Sequence, residues 1–196
     1  MVKTHNTEIQ IIVFLLNHKK EKYTIREIAK GTSIDYKTVY YTIKDLTAKG
    51  VVSAERVGQS HLCSLNQKTF SADIFVAEAY RRAKLLEKKT FDVISKDIQQ
   101  IKDQFFILLL FGSQAAGKAH KASDIDLLLI VDNDRTQKAI RERLSLLPLP
   151  LHLVEFTSEE FLSMLKTTEF NVGKEAFYNN IILFGIEDYY RLVHHA

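Results

Sequence analysis

The distribution of hydrophobic and polar residues predicts helices in the first third of the chain. Residues 7–18 are apolar almost all round, as in a short helix buried by its neighbours. Thr24-Ile-Arg-Glu27 and Thr32-Ser-Ile-Asp35 both have the form of a capping box, in which a hydroxyl and a carboxylate three residues later cap a helix start. Two helix starts eight residues apart, with Gly31 between them, predict a helix-turn-helix.

A third helix is predicted over about residues 34–49. Its apolar residues recur at spacings of three and four and are expected to be buried: Tyr36, Val39, Tyr40, Ile43 and Leu46. The opposite face is polar and suits a recognition helix whose cations meet phosphates and whose polar groups reach base edges: Lys37, Thr38, Tyr41 and Lys44.

Residues 51–65 have β character around a Gly58-Gln59-Ser60 turn, which predicts a hairpin with Arg56 and His61 near its tip. The segment IREIAKGTSIDYKTVYYTIKDLTAKGVV resembles the winged helix-turn-helix domains of transcription regulators. The resemblance covers about residues 5–66 and implies duplex DNA as a partner, with Arg56 joining the DNA-binding residues. Residues 1–68 hold 11 Lys and Arg against 6 Asp and Glu, a charge that suits a polyanion. The alternative is that the fold serves protein contacts.

From Ser71 to about Gln104 the chain contains no Pro or Gly, and one long or broken helix is predicted to link two domains. Its apolar stripe slips around residues 88–90 and is expected to pack within the chain or on a second copy in a homodimer: Val76, Tyr80, Ala83, Leu86, Phe91, Ile94, Ile98, Ile101 and Phe105.

Two continuous apolar runs, residues 105–111 and 125–131, predict strands in the middle of a sheet. Gly112-Ser113 follows the first run, where a residue without a Cβ lets backbone amides approach a phosphate closely. Asp124 and Asp126 begin the second run. Because side chains alternate along a strand, these two carboxylates are expected to share one face, where they can hold Mg²⁺ or Mn²⁺.

The string GSQAAGKAHKASDIDLLLIV resembles the glycine-serine and aspartate motifs of the DNA polymerase beta nucleotidyltransferase superfamily, most closely its minimal members. The resemblance extends to the C-terminus through VGKEAFYNNIILFGIEDYY. It implies a mixed sheet flanked by helices and transfer of a nucleotide monophosphate from an NTP, with ATP expected. It assigns nucleotide binding to Gly112, Ser113 and Ser123, and catalytic metal binding to Asp124 and Asp126.

Two departures from the family pattern affect the chemistry. Ala116 stands where the family commonly has Arg, a cation that Lys118 or Lys121 would have to replace. His152 stands where the family has its third carboxylate; an imidazole binds Mg²⁺ poorly but can act as a general base. Glu155 is expected on the opposite face of its strand, and Asp132 lies too far along the second strand to substitute.

Composition excludes several other classes of protein. The single cysteine, Cys63, excludes a disulfide within the chain. No apolar run approaches the roughly 18 residues of a membrane-spanning helix, so we expect a cytoplasmic protein without a membrane contact.

The sequence therefore predicts an α+β protein: a winged helix (1–68), a linking helix (69–104) and a minimal nucleotidyltransferase domain (105–196). We expect one of two functions. The protein either transfers a nucleotide monophosphate to an unknown acceptor, with a separate helical partner protein as one option, or it is a DNA-binding regulator. In the second case its degenerate nucleotidyltransferase domain senses NTP or dimerises.

Overall fold

The computed structural model describes residues 2–101, 105–120 and 123–194, with the side chains of residues 2–6 excepted. The chain divides into two compact units, Met1–Tyr80 and Arg81–Ala196. The division falls inside the segment that the sequence assigns to a linking helix.

The first unit combines helices with a small antiparallel sheet. Its elements are α1 (Val2–Leu16), β1 (Tyr23–Thr24), α2 (Ile25–Thr32), α3 (Tyr36–Ala48), β2 (Val52–Val57), β3 (Ser60–Leu65) and the first half of α4 (Ala72–Leu86). The strand order is β1-β3-β2. Arg56 pairs with His61 across the hairpin, beside a turn in which Gly58 has a φ of 60°.

The two predicted capping boxes have different outcomes. Thr24 caps α2 as predicted, because its side chain accepts from the Glu27 amide and Glu27 accepts from the Thr24 amide. The second prediction was wrong. Thr32 ends α2 and its hydroxyl donates to the Ile28 carbonyl, while Asp35 caps α3 by accepting from the Thr38 amide.

Gly31 lies inside α2 rather than in the turn between helices. A Cβ at Gly31 would overlap the Phe14 ring, so the glycine allows α1 and α2 to pack closely. The turn instead uses Ser33, whose φ of 57° is left-handed.

The buried face of α3 is narrower than predicted. Val39, Ile43 and Leu46 are buried, but Tyr36 is 53% exposed and Tyr40 is 39% exposed. Thr42 takes part of the buried face, and its hydroxyl donates to the Thr38 carbonyl. The tyrosine rings instead cover each other, with Tyr36 stacked on Tyr40 at 6.4 Å between ring centroids.

The predicted linking helix is two helices, α4 and α5 (Lys89–Ile98), separated at residues 87–88. Phe91, Ile94 and Ile98 of α5 are buried as predicted. In α4 the prediction was wrong, because Val76 and Tyr80 are exposed. The buried face of α4 includes two charged residues that have partners: Glu78 lies 3.8 Å from Lys19, and Arg81 donates to the Asn180 carbonyl.

The second unit is built on a mixed four-stranded sheet, as predicted. Its strands are β4 (Ile107–Phe111), β5 (Ile125–Ile130), β6 (Leu151–Phe156) and β7 (Asn180–Phe184), in the order β6-β5-β4-β7. Only the β5-β6 pair is parallel. Besides α5 and the second half of α4, the helices are α6 (Gly112–Ala115), α7 (Asp134–Ser145), α8 (Ser158–Lys166), α9 (Val172–Tyr178) and α10 (Ile186–His194).

The centre of this sheet explains the two apolar runs. Leu108, Leu110, Leu127 and Leu129 join one core cluster with residues of α5 and α7. Arg81 and Arg82 of α4 donate to the carbonyls of Asn180 and Leu183 on β7, a strand at the end of the sheet, and so satisfy main-chain acceptors there.

Within the described ranges, no helix has the length and apolar composition that crossing a bilayer requires.

Candidate functional site

The candidate site begins where β4 ends and the chain turns at Gly112. Gly112 has a φ of 66°, a left-handed conformation that favours glycine, and it starts the single turn of α6. Ser113 follows and is half-buried. Gly112 is itself buried, so the accessible part of this turn begins at Ser113.

Asp126 lies directly against this turn. A Cβ on Gly112 would overlap Asp126 Oδ2 and lie 3.2 Å from its Cγ. Asp126 is the second residue of β5, and β5 runs antiparallel to β4, so the start of one strand meets the end of the other. The structure thus brings the predicted phosphate-binding turn and one predicted carboxylate together.

His152 completes this cluster from the neighbouring strand. In the parallel β5-β6 pair, Asp126 is in register with His152. The distance from His152 Nδ1 to Asp126 Oδ1 is 3.2 Å, and the two side chains are 62% and 27% exposed respectively. An exposed imidazole therefore contacts the carboxylate that the sequence assigns to metal binding.

Asp124, Ser123 and Lys118 are the remaining candidate residues of this site. β5 begins at Ile125, one residue later than the alternation argument requires, so Asp124 is an exposed residue that precedes the strand. The Ser123 hydroxyl accepts from the His120 amide at 2.8 Å. Lys118 is exposed, and its backbone amide donates to the Ser113 carbonyl. Lys121, the other proposed cation, lies outside the described residues.

Both alternative acids have other partners. Glu155 accepts from Arg141 on α7, with an ion-pair distance of 2.7 Å, and this contact raises the pKa of Arg141. Asp132 accepts from the amide and the hydroxyl of Ser158, the first residue of α8, at 2.7 Å. Neither side chain joins Asp126, in agreement with the geometric prediction.

The sequence did not single out Asn179, which contacts the glycine turn. Its side-chain Nδ2 donates to the Gly112 carbonyl at 3.0 Å, across 67 residues of sequence. Asn179 lies in the string VGKEAFYNNIILFGIEDYY, but the string gives no sign of a contact with Gly112, because that contact depends on the tertiary position of the α9-β7 corner.

The two carboxylates, Asp124 and Asp126, suit a divalent cation that is also held by the phosphates of a nucleotide. Among the residues that the structure describes, no three or more His, Cys, Asp or Glu side chains form a group that could bind a metal ion. Mg²⁺, however, is commonly held by one or two carboxylates together with substrate phosphates. Asp126 beside the glycine turn, with Asp124 two residues earlier, fits that arrangement.

The candidate DNA-binding residues are all exposed and belong to α3 and the hairpin of the first unit. Lys37, Tyr41 and Lys44 are exposed and follow each other at helical spacing on α3, with Thr38 beside them. Hydrogen bonds from the Thr38 hydroxyl and amide hold the pKa of Asp35 below its ordinary value, so a negative charge also marks the start of α3. Arg56 is exposed in the hairpin, and its Nε donates to the Gly58 carbonyl.

The first unit also has a polar cavity of about 330 Å³ between the starts of α2 and α3 and the hairpin turn. Its lining includes Arg26, Tyr36 and His61, none of which the sequence assigned to DNA binding. A larger apolar cavity of about 550 Å³ in the second unit borders Ile107 and Ile130, at the opposite ends of β4 and β5 from Gly112 and Asp126. It is therefore separate from the candidate site.

Comparison with curated proteins finds no match to the chain. A family model does match residues 83–174, and its description is a nucleotidyltransferase domain. The match includes Gly112, Asp124, Asp126 and His152 but excludes the first unit and Asn179. Residues 83–174, which lie within the second unit, are therefore similar to a nucleotidyltransferase domain.

Proposed function

We propose that this protein transfers a nucleotide monophosphate, expected to be AMP, from a metal-bound NTP to an acceptor, and that its first unit binds duplex DNA. The observation that carries the transfer proposal is the contact of the Gly112 turn with Asp126. That contact brings a glycine turn, whose main-chain amides suit phosphates, to a carboxylate, which suits a divalent cation.

Each residue of the cluster has a separate role in this proposal. Gly112, Ser113 and Ser123 bind the nucleotide, with Lys118 as the nearby cation. Asp124 and Asp126 would hold Mg²⁺ or Mn²⁺, which supplies charge neutralisation at the phosphates. In the transfer, the acceptor oxygen bonds to the α-phosphorus, the bond to the α-β bridging oxygen breaks, and pyrophosphate leaves. His152, which is exposed beside Asp126, is the candidate to take the proton of the acceptor.

The DNA proposal is supported by charge and by exposure. Lys37 and Lys44 lie one above the other on the same side of α3, and Arg56 adds a third cation in the hairpin. These cations suit phosphates, whereas Thr38 and Tyr41 offer groups that reach bases. Binding to DNA would direct the transferase to its target or let the protein regulate its own gene.

A second function is favoured by the two positions, 116 and 152, at which the chain departs from the pattern of the nucleotidyltransferase family. His152 leaves the site one negative charge short of a third carboxylate, and Ala116 is an exposed residue directly after α6 that brings no cation. On this second proposal the domain binds NTP without transferring it and changes the affinity of the first unit for DNA, or it serves to dimerise the protein.

The deciding experiment uses ATP labelled in the α-phosphate, the full-length protein and Mg²⁺ or Mn²⁺, with and without cell extract. We expect label to move from ATP to an acceptor, which mass spectrometry then identifies as a protein, a nucleic acid or a small molecule. A separate helical protein among the labelled species would identify the acceptor as a partner.

Asp126→Asn should abolish the labelling, because it removes charge beside Gly112. Asp134→Asn is the matched control, since Asp134 is an exposed acid at the start of α7. If the parent chain transfers no label to any acceptor while ATP still alters its affinity for DNA, the sensor function replaces the transferase function.

A further inference from the structure

The Gly112 carbonyl is held from two sides. It accepts from the Ala116 amide within its own turn at 3.1 Å and from Asn179 Nδ2 at 3.0 Å. The second donor comes from the corner between α9 and β7, so the turn is tied to a distant part of the second unit. A glycine has the widest backbone freedom of any residue, and an external donor restricts that freedom.

Asn179 is itself fixed in place. Its backbone amide donates to the Glu175 carbonyl at 2.9 Å, at the end of α9. The next residue, Asn180, is buried and pairs with Phe111, the residue immediately before Gly112. The Asn180 side chain donates to the Phe177 carbonyl and to the Tyr189 hydroxyl, both at 3.2 Å. The side-chain amide of Asn179 therefore approaches the Gly112 turn from a segment that several hydrogen bonds hold in place.

The direction of the Gly112 carbonyl determines the direction of the Ser113 N–H. The carbonyl of Gly112 and the N–H of Ser113 belong to one planar trans peptide unit, in which they point in opposite directions. A donor that fixes the carbonyl thereby fixes the Ser113 N–H. The same hydrogen bond also polarises the peptide unit and makes that N–H a stronger donor.

We propose that Asn179 is a positioning residue that aims the Ser113 N–H at a phosphate of the bound NTP. This inference rests on the proposed nucleotide binding at Gly112 and Ser113. Asn179 does not touch the nucleotide; it acts through the carbonyl of Gly112, and it extends the functional residues beyond the range that matches the family model.

The test compares Asn179→Ala with Asn171→Ala. Asn171 caps the other end of α9 by accepting from the Lys174 amide, so its loss weakens the same helix without touching Gly112. Hydrogen exchange of the amides at residues 113–118 is measured without nucleotide, and calorimetry then measures binding of ATP with Mg²⁺.

Asn179→Ala should speed exchange in this segment and weaken ATP binding by about tenfold, as loss of one well-placed hydrogen bond does. Asn171→Ala should change neither value relative to the parent, although both variants lower the unfolding midpoint. If the two variants behave alike in exchange and in ATP affinity, Asn179 is merely structural and the inference is wrong. If the parent does not bind ATP, the proposed function and this inference both fail, whereas unchanged affinity in Asn179→Ala overturns the inference alone.

Discussion

His152 lies directly opposite Asp126 on the neighbouring parallel strand, with its Nδ1 3.2 Å from Asp126 Oδ1. A side chain at position 152 is therefore within reach of any cation that Asp126 binds. A carboxylate at position 152 would add a negative charge and a hard oxygen ligand, whereas imidazole offers a nitrogen that favours Mn²⁺ over Mg²⁺.

We predict that His152→Asp raises Mg²⁺-dependent transfer by about tenfold, a factor that corresponds to about 1.4 kcal/mol of added stabilisation. In the parent, transfer should be faster with Mn²⁺ than with Mg²⁺, and His152→Asp should reduce that preference. Initial rates with labelled ATP at a series of metal concentrations measure both effects.

His152→Asn is the control, because it removes the proposed proton acceptor without adding a carboxylate, so transfer should fall below that of the parent. Ala116→Arg, alone and combined with His152→Asp, tests the other departure at an exposed position. If His152→Asp, Ala116→Arg and the combined variant all fail to transfer AMP, the side chains at positions 116 and 152 are not the only groups that limit the reaction.

The Gly112 turn gives a second prediction, with a control inside the same loop. Gly112→Ala should destabilise the second unit and abolish ATP binding, because a Cβ there overlaps Asp126 Oδ2. Gly117 has the same φ of 66°, but a Cβ at that position meets no atom within 4 Å. Gly117→Ala should therefore show only the cost of a left-handed alanine, about 1 kcal/mol.

Urea unfolding and calorimetry with ATP measure the two glycine variants. The difference between them reports the contact with Asp126. Equal effects of the two substitutions on ATP affinity would show that backbone conformation alone, rather than the approach to Asp126, determines nucleotide binding.

The sequence predicted those parts of the structure that depend on local patterns. The apolar runs around residues 105–111 and 125–131 became the central strands β4 and β5, since residues buried on both faces of a sheet are apolar in succession. The hairpin with Arg56 and His61 at its tip and the capping box at Thr24 were also correct. Their hydrogen bonds form between residues close in sequence.

The errors arose where tertiary partners decide the outcome. A buried face that contains Glu78 and Arg81 cannot be found by hydrophobic periodicity, because their partners, Lys19 and the Asn180 carbonyl, lie far away in sequence. Tyr36 and Tyr40 looked apolar at the right spacing but cover each other on the surface. In the site, the motif led to Gly112 and Asp126, whereas Asn179 was invisible without the fold.

The buried thiol of Cys63 gives a prediction for pH dependence. Burial in β3 raises the pKa of Cys63 from 9.0 to about 11, so the folded chain keeps the thiol protonated where the unfolded chain has ionised it. The unfolded state therefore binds fewer protons between these values, and the free energy of unfolding falls as pH rises from 9 towards 11. The loss at pH 10.5 should be about 2 kcal/mol.

Urea unfolding of the parent and of Cys63→Ala at pH 8 and pH 10.5 checks this value. The variant should lose less stability than the parent over that interval, and the difference isolates the thiol from the tyrosines and lysines that titrate in both proteins. The same fall in both proteins would show that Cys63 does not contribute.

The proposed DNA-binding residues of the first unit give the last prediction. Lys37, Lys44 and Arg56 are proposed to meet phosphates, and each contact releases counterions from the duplex when the complex forms. Replacing all three by Gln should therefore weaken duplex binding and lower the slope of log affinity against log salt by about 2.7, or about 0.9 for each contact. Fluorescence anisotropy with a labelled duplex, at salt concentrations between about 50 and 200 mM, covers the range in which this dependence is steep.

A matched triple variant controls for the change in net charge. Arg135, Lys138 and Lys166 are exposed cations of the second unit, on α7 and α8, and their replacement by Gln removes the same charge. This control should keep the slope of the parent, because the lost charges lie outside the proposed surface. If instead both triple variants lower the affinity and the slope equally, the protein attracts DNA only through its overall charge, and α3 is not a recognition helix.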